Sequence, residues 1–322
     1  MNITVLGAGA YGLALALTFY KNNNNVTVWT KIESEKEEII STRKNEKALP
    51  GVIIPEEINI TTDISCIEKS ELIVLAIPVN FFRSTCLEIK DYVNDSTLFL
   101  IATKGIENKT SAFCHEILKS TIDTNHISAI SGPTFAIELA NDSKSGLTLA
   151  SNNIEEFNII KKALENNNLK IEKSIDLIGT EICGSVKNIM AIISGMLKGL
   201  KTTETTKALF LTTALQEIKN IILSLNGNIE TIDNLCGIGD LILTCSSDKS
   251  RNFTLGNLLA TSSKDEVLEY LNNNTVEGYY TLISIYSLIK EKNINAPLIN
   301  TIYQILFQEK NKEEIFNVLI SN

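Results

Sequence analysis

The sequence predicts a doubly wound α/β sheet in the first half of the chain and an all-helical domain after it. Strands that are apolar on both faces are typical of a parallel sheet covered by helices on both sides. Long helical segments replace this pattern from Gly179 onward. This order of elements favours two successive domains. Short, nearly continuous apolar runs that predict strands lie at 3–6, 26–29, 72–77, 98–102 and 127–130.

Two later runs, 147–150 and 169–174, are predicted to extend the sheet. The chain has 322 residues, more than a single hydrophobic core usually serves. We expect the α/β domain to span 1–178 and the helical domain to span 179–322. Predicted helices of the second domain cover 181–199, 207–225, 264–272, 277–291 and 297–308.

The charge of the chain argues against two classes of partner. The formal net charge is -9 at pH 7, so we expect no general affinity for nucleic acid or for an anionic membrane surface. No apolar run reaches the roughly 18 residues of a spanning helix. The first residues also lack the basic and apolar regions of a signal peptide. We therefore expect a cytoplasmic protein without membrane insertion.

The cysteines and histidines show no metal signature. Six cysteines lie at scattered spacings without a CxxC pair, and the chain has two histidines. We therefore expect no metal site, and thiols that stay reduced as in cytosolic proteins.

A glycine-rich turn, GAGAYG, joins the first predicted strand to the first predicted helix. Gly7 permits a tight turn, Gly9 lets the backbone approach a pyrophosphate, and Gly12 lets helix and strand pack closely. Such a motif is weak evidence by itself. Its position between a strand and a helix, with a second strand following, predicts a Rossmann-like dinucleotide-binding domain.

The end of the second predicted strand bears on the choice between NAD and NADP. An acidic residue usually stands there and holds the ribose 2′-hydroxyl. Here the strand is followed by Thr30 and Lys31, with Glu33 a little later. Lys31 is able to pair with a 2′-phosphate, which favours NADP or the use of both cofactors. An exposed surface lysine is an equally good interpretation.

One lysine interrupts the most apolar of the predicted helices. Lys187 lies in GSVKNIMAII, where the surrounding residues leave no polar stripe at helical spacing. A buried ammonium must be paired, reach a cavity or have its pKa lowered by desolvation. The alternative is a lysine whose stem lies on apolar surface while its head reaches water. The adjacent Asn188 is a second polar group on this helix, and two inward-facing polar side chains indicate a site.

Three further motifs add polar groups. ATKG follows the run LFLIA and places Lys104 at the carboxyl edge of the sheet, where ligands of open α/β sheets bind. SGPTFA follows the next run and supplies backbone N–H groups with Ser131 and Thr134. In the helical half, Asp240 follows a glycine-rich turn in GIGDLILTC, and Arg251 in SRN offers a phosphate a bidentate fork. Singly, these motifs are also typical of strand ends, turns, helix caps and surface loops.

Taken in order, GAGAYG, ATKG, SGPTFA, GSVKN, GIGDLILTC, SRN and VEGY resemble the motif series of the bacterial NAD(P)-dependent sn-glycerol-3-phosphate dehydrogenases. The resemblance implies a 6-phosphogluconate-dehydrogenase-like fold. It implies reversible hydride transfer between NADP or NAD in its reduced form and dihydroxyacetone phosphate, a small phosphorylated substrate. The product, sn-glycerol 3-phosphate, would serve phospholipid head groups. The resemblance also implies a homodimer.

The same resemblance implies roles for single residues. Lys187 is the expected proton donor and acceptor, with Lys104 beside it and Asp240 and Asn188 completing the catalytic set. A desolvated lysine near a second ammonium should have a lowered pKa and exchange a proton with the substrate C2 oxygen at neutral pH. Expected substrate-binding residues are Lys104, Gly132, Thr134, Ser250, Arg251 and Asn252. Expected cofactor-binding residues are Gly7, Gly9, Ala10, Tyr11, Gly12, Lys31, Lys104, Ala136, Arg251 and Glu277.

The chain departs from the family pattern at three positions. Thr205, Thr213 and Ala214 stand where the family commonly has asparagine, arginine and glycine, and none of them is assigned to chemistry. Two other functions stay open from the sequence. One is an enzyme of the same architecture that acts on an unphosphorylated ketone or hydroxy acid, and the other is a dinucleotide-binding protein without catalysis.

Overall fold

The chain divides into two compact units in a computed structural model that describes residues 1–320. The sheet unit contains Met1–Thr103 and Cys114–Leu177, and the helical unit contains Lys104–Phe113 with the chain from Ile178 onward. The segment 104–113 was expected in the first domain. It groups with the helical unit because Ile106 and Phe113 are buried in that unit's core. The domain boundary expected between residues 178 and 179 stays a prediction.

Eight strands form one sheet in the order β3-β2-β1-β4-β5-β6-β7-β8. Every predicted apolar run forms a strand, which confirms the doubly wound sheet. The strands are β1 Asn2–Leu6, β2 Asn25–Trp29, β3 Asn59–Thr61, β4 Leu72–Leu75, β5 Leu98–Ile101, β6 Ile127–Ser131, β7 Ser145–Ser151 and β8 Leu169–Ser174.

Two features of the sheet differ from the expectation. Strand β7 runs antiparallel to β6, whereas all the other neighbouring strands are parallel. Strand β3 was not predicted, because its three residues include one buried side chain, Ile60, and no apolar run.

The centre of the sheet lies at β1, β4 and β5. All four residues of β4 and of β5 are buried, as in parallel strands covered on both faces. Strand β1 pairs with both β2 and β4, and the strand order reverses there. Ligands of open α/β sheets bind at such a reversal, beyond the carboxyl ends of the strands. The glycine-rich turn follows β1 at this point.

Six helices cover the sheet. The first, α1, buries eight consecutive residues, 12–19, and packs against β1, β2 and α5. The helices of this unit are α1 Ala10–Lys21, α2 Glu33–Thr42, α3 Val79–Ile89, α4 Cys114–Ile122, α5 Ala136–Ala140 and α6 Ile154–Leu164.

Within residues 1–320, eight helices build the helical unit, and a π-helical segment, Leu235–Gly239, directly precedes α9. The five predicted helices are present as α7, α8, α11, α12 and α13. Helices α9, α10 and α14 were not predicted, because α9 and α14 are short and α10 includes Gly256 and several polar residues. The helices are α7 Leu177–Gly199, α8 Glu204–Ser224, α9 Asp240–Cys245, α10 Arg251–Thr261, α11 Lys264–Asn273, α12 Glu277–Glu291, α13 Pro297–Phe307 and α14 Glu314–Ile320.

Helix α7 forms the core of the helical unit. Every residue from 179 to 197 is buried, polar residues included. Among the described residues, α7 is the one helix whose length and apolar composition would allow it to cross a membrane. However, 89% of an 18-residue apolar stretch of this helix is buried inside the protein. The apolar side chains on all sides of this helix are therefore buried by packing within the protein.

Two glycines bring α7 and α10 into backbone contact. A Cβ atom added at Gly195 would lie 1.9 Å from the Phe253 carbonyl oxygen. One added at Gly256 would lie 1.8 Å from the Ile192 carbonyl oxygen. Both residues must therefore be glycine for the helices to approach this closely. The contact holds the first half of α10 beside the C-terminal half of α7.

A buried carboxylate joins α8 to α13. The side-chain oxygens of Glu217 accept the backbone N–H groups of Leu298 (2.7 Å) and Ile299 (2.9 Å), in the first turn of α13. No side chain of α13's own N-terminal flank caps this helix. Burial raises the pKa of Glu217 to about 7. The carboxyl group replaces the missing cap and fixes α13 to α8.

Replacing Gly256 with alanine is expected to lower the free energy of unfolding by about 3 kcal/mol, because the added Cβ pushes α10 off the Ile192 carbonyl. Urea denaturation followed by circular dichroism measures the change. Gly9→Ala is the control, since a Cβ there meets no atom within 4 Å; without ligand it should cost less than about 1 kcal/mol. Unchanged stability of Gly256→Ala would contradict the backbone contact.

Candidate active site

The ammonium of Lys187 is buried and paired. Lys187 is 6% exposed, and its Nζ donates hydrogen bonds to Asp240 Oδ1 and to Thr244 Oγ1, the latter at 3.2 Å. The other oxygen of the same carboxylate, Asp240 Oδ2, lies 3.5 Å from Lys104 Nζ. Asp240 is completely buried. One carboxylate therefore lies between two ammonium groups, and we call these three residues the lysine–carboxylate cluster.

The pKa of Lys187 is lowered from 10.5 to about 8. Burial is the largest cause, because a desolvated ammonium is less stable than a neutral amine. The carboxylate of Asp240 acts in the opposite direction and the positive charge of Lys104 lowers the pKa further. A lysine in this state exists in both protonation forms near neutral pH, as a group that exchanges protons requires.

A tight local structure places Asp240. This residue is the first of α9 and follows the π-helical segment. A Cβ atom at Gly237 would lie 2.1 Å from the Ile232 carbonyl oxygen, so a side chain there would displace the segment. Thr244 lies one turn after Asp240 and donates its hydroxyl hydrogen to the Asp240 carbonyl oxygen (2.7 Å). That orientation turns the Thr244 oxygen toward Lys187.

The turn that contains Lys104 is attached to α7. Gly105 has φ +122°, a conformation that L side chains rarely adopt. Its N–H donates to Ser185 Oγ at 2.9 Å. The Ser284 hydroxyl donates to Asn108 Oδ1 farther along the same segment. Because Ser185 and Lys187 share α7, the positions of the two lysines are fixed to the same helix.

A chain of amides extends from the neighbouring residue. Asn188 donates from Nδ2 to Glu277 Oε2 at 3.1 Å, and Asn252 Nδ2 donates to Asn188 Oδ1 at 3.0 Å. The backbone N–H of Gly278 then donates to Asn252 Oδ1 at 2.9 Å. The predicted residues Asn188, Asn252 and Glu277 therefore form one network in the helical unit. Their roles toward substrate and cofactor stay predictions.

The three residues of the SRN motif have different surroundings. Ser250 is the N-cap of α10, and its Oγ accepts the N–H of Phe253 at 3.3 Å. Asn252 is buried in the amide network, whereas Arg251 is exposed. Arg251 also lies at the positive N-terminal end of an 11-residue helix. Of the three, Arg251 is the exposed residue, and its role toward a phosphate stays a prediction.

The glycine-rich turn has the geometry of a phosphate cradle. Gly7 has φ +117°, and a Cβ there would lie 2.5 Å from the Ala76 carbonyl oxygen. A Cβ at Gly12 would lie 2.0 Å from the Gly7 carbonyl oxygen, while one at Gly9 would meet nothing within 4 Å. No side chain caps the N-terminus of α1, whose first residues are Ala10 and Tyr11. Space at Gly9 and uncapped N–H groups fit a pyrophosphate.

The SGPTFA motif follows β6 in the sheet unit. The hydroxyls of Ser131 and Thr134 are buried and have no hydrogen-bond partner among residues 1–320. Gly132 is packed on the backbone of β7, since a Cβ would lie 2.8 Å from the Gly146 carbonyl oxygen. Ala136 begins α5. Buried hydroxyls without a protein partner are suited to binding a ligand. The substrate-binding roles of Gly132 and Thr134 and the cofactor-binding role of Ala136 stay predictions.

The charged residues after β2 are paired with protein groups. The Lys31 side chain is 70% exposed, and its ammonium lies 3.1 Å from Glu88 Oε2. Glu33 accepts from Lys36 (2.6 Å) and from the Thr62 hydroxyl (2.7 Å). The exposure of Lys31 agrees with its interpretation as a surface lysine. A role of Lys31 toward a 2′-phosphate stays a prediction.

Two residues of the cluster's surroundings were missed from the sequence. Thr244 lies in the quoted GIGDLILTC, and its spacing of four from Asp240 on a helix would have placed both on one face. Ser185 lies in GSVKN, but its partner is a backbone N–H in a distant segment, which no local pattern indicates.

Of the departures from the family pattern, Thr205 is exposed and Ala214 is buried in the core.

Comparisons with known proteins cover both units. A family model described as NAD-dependent glycerol-3-phosphate dehydrogenase N-terminus matches residues 2–157, and the corresponding C-terminus model matches residues 176–317. Glycerol-3-phosphate dehydrogenase [NAD(P)+] of Fusobacterium nucleatum is 31% identical over 99% of this chain and 96% of that protein. The protein of that name from a Thermoanaerobacter species is 35% identical over 98% of this chain and 95% of its own.

A solved structure agrees with these relatives. The crystal structure of glycerol-3-phosphate dehydrogenase from Coxiella burnetii superposes with a TM-score of 0.93 at 29% identity, covering 100% of this chain and 99% of that one. Together the matches define an NAD(P)-dependent oxidoreductase that acts on a CH–OH group. More particularly, the chain belongs to the NAD-dependent glycerol-3-phosphate dehydrogenase family.

Asp240→Asn is expected to lower the free energy of unfolding at pH 7 by about 3 kcal/mol, because two ammonium groups lose their buried counter-charge. The deficit should shrink as pH rises. Unfolded Lys187 stays protonated up to its ordinary pKa of 10.5, whereas in the folded variant its pKa falls below about 8. Below about pH 8 only the variant releases this proton on folding, so its stability rises toward that of the wild type; above pH 8 both proteins release it and the deficit stays constant. Urea unfolding at pH 7 and 9.5 measures both effects.

Asp248→Asn is the matched control for this change. Its carboxylate pairs with Lys198 at 2.6 Å, but the side chain is 76% exposed. The same loss of charge should alter stability by less than about 0.5 kcal/mol at either pH. An Asp240→Asn deficit as small as that of Asp248→Asn would contradict the assignment of a buried, charged cluster.

Proposed function

We propose that the chain catalyses the reversible reduction of dihydroxyacetone phosphate to sn-glycerol 3-phosphate with NAD(P)H. The observation that supports this most is the lysine–carboxylate cluster, found in a chain whose relatives are named for this substrate. The cluster supplies a proton donor with a pKa lowered to about 8 beside a second cation. A proton donor completes the reduction of a ketone, and a second cation stabilises the negative charge that develops on its oxygen.

In the reducing direction, Lys187 protonates the substrate. The π bond between C2 and its oxygen breaks as a hydride reaches C2, and the electron pair moves to the oxygen. Lys187 transfers a proton to that oxygen, becomes a neutral amine and regains a proton from solvent. The reverse reaction uses the neutral amine as the base. The bound dinucleotide supplies the hydride for reduction and accepts it for oxidation.

Lys104 and Asp240 have supporting parts in this proposal. The ammonium of Lys104 stabilises the negative charge that develops on the C2 oxygen before protonation is complete. Asp240 holds both ammonium groups through opposite oxygens of one carboxylate, so neither lysine must be ordered when substrate arrives. Preorganised charges cost no reorganisation during the reaction.

Arg251 is our candidate for the substrate phosphate. The chain has a net charge of -9, so a phosphorylated substrate requires a local cation. Arg251 is exposed at the N-terminus of α10, and Asn252, its neighbour, is hydrogen-bonded to Asn188 on the lysine-bearing helix. Guanidinium and a helix N-terminus are complementary to a phosphate dianion.

We infer three further properties from the family resemblance. The protein is a homodimer, acts in the cytoplasm and provides sn-glycerol 3-phosphate for phospholipid head groups. Curated relatives that match nearly the whole chain support the activity on which these inferences rest.

Lys187→Ala is expected to reduce kcat for dihydroxyacetone phosphate by at least about 100-fold, because the substrate oxygen loses its proton donor. Loss of NADH or NADPH absorbance measures the rate. Lys198→Ala removes a lysine from the same helix, where the side chain is 46% exposed and paired with Asp248. It should retain the wild-type rate. A kcat for Lys187→Ala within tenfold of wild type would remove this lysine from the mechanism.

Arg251→Gln is expected to raise the KM for dihydroxyacetone phosphate by about 10- to 100-fold, since a charge-assisted contact with phosphate is lost. Steady-state kinetics with unphosphorylated dihydroxyacetone should be unaffected. Lys249→Gln removes the same charge two residues away at an exposed position and serves as control. Wild-type preference for dihydroxyacetone or ketopantoate over dihydroxyacetone phosphate would favour the enzyme class that acts on unphosphorylated substrates.

A further inference from the structure

A carboxylate reaches the end of β2 from the following helix. Thr30 directly follows β2 and stands where dinucleotide-binding sheets usually have an acidic residue. It is 3% exposed, and its hydroxyl donates a hydrogen bond to Glu35 Oε2. Glu35 is the third residue of α2. A carboxylate is therefore present at this place although the strand itself does not supply it.

The second oxygen of Glu35 is tied to the glycine-rich turn. Asn45 is 3% exposed, and its side-chain nitrogen lies 3.1 Å from Glu35 Oε1 and 3.3 Å from the carbonyl oxygen of Ala8. Asn45 is itself fixed, because its Oδ1 accepts the N–H of Ala48 at 3.0 Å. One amide thus connects Glu35 to the backbone between Gly7 and Gly9.

These partners leave the charge of Glu35 in place. Thr30 and Asn45 are neutral donors, so they orient the carboxylate without neutralising it. The nearby ammonium of Lys31 is 3.1 Å from Glu88 instead. A carboxylate offers about four lone-pair sites, and the two recorded hydrogen bonds use one on each oxygen. Glu35 can therefore accept a further hydroxyl.

We propose that Glu35 determines cofactor choice, accepting the adenosine ribose 2′-hydroxyl of NAD(H) and repelling the 2′-phosphate of NADP(H). The proposal deepens the proposed function and rests on it for the reaction that the cofactor serves. It departs from the interpretation of Lys31 as a 2′-phosphate ligand. The carboxylate next to the end of β2 belongs to α2, and it is fixed to both the strand end and the glycine-rich turn.

The test measures the dissociation constants of NADH and NADPH in the absence of substrate. The fluorescence of the reduced dinucleotides reports their binding. Wild type is expected to bind NADH more tightly than NADPH. Glu35→Gln should reduce this preference by roughly tenfold or more, because a charge a few ångströms from the phosphate is removed at nearly constant shape. Glu33→Gln removes the same charge from the same helix, where Glu33 is exposed and paired with Lys36. It should leave the preference unchanged.

Thr30→Val provides a second variant that keeps Glu35 and its charge. Losing the hydroxyl that orients the carboxylate should shift the preference in the same direction by a smaller factor. The proposal is overturned if wild type binds NADPH more tightly, or if neither Glu35→Gln nor Thr30→Val shifts the ratio. It is also overturned if Glu33→Gln shifts the ratio as much as Glu35→Gln. Failure to reduce dihydroxyacetone phosphate would instead refute the proposed function, since binding needs no substrate.

Discussion

The pairing of one buried carboxylate with two lysines is the constraint on which the helical unit depends. Asp240 is completely buried, and its two oxygens face the ammonium groups of Lys104 and Lys187. Removing three charges from water is costly, and the mutual attraction offsets that cost only when the geometry is exact. Several local features secure that geometry. Gly237 permits the π-helical approach to Asp240, and Gly105 with its hydrogen bond to Ser185 attaches the segment of Lys104 to α7.

The same packing that fixes the lysines also makes Lys187 chemically useful. An exposed lysine is protonated far above neutral pH, whereas burial lowers the pKa of Lys187 to about 8. Asp240 limits this decrease, and Lys104 adds to it. The proton affinity of the donor is thus set by burial and by two opposed charges that the fold holds at defined positions. Helix α7 combines these functions because it is both the core of its unit and the element that contains Lys187.

The sheet unit places a charge by a different means. Glu35 is oriented by a hydroxyl and an amide, two neutral donors that fix its position without an ion pair. In the lysine–carboxylate cluster two positive charges share one negative charge, whereas at the end of β2 the two partners of Glu35 carry no charge. The difference suits the two proposed roles. Opposed charges help to set the pKa of a proton donor, whereas a negative charge without an ion-pair partner disfavours a phosphate.

The sequence by itself determined the order of elements and the chemical groups. Apolar runs of strand length, the glycine-rich turn and a lysine in an apolar helix are local patterns, because strand burial, backbone conformation and charge burial depend on neighbouring residues. Only the tertiary structure decided which groups meet. Segment 104–113 packs with the helices through Ile106 and Phe113, Ser185 meets Gly105, and Glu35 meets Thr30 at the end of β2. These contacts join residues from different elements, and no periodicity in a single segment encodes them.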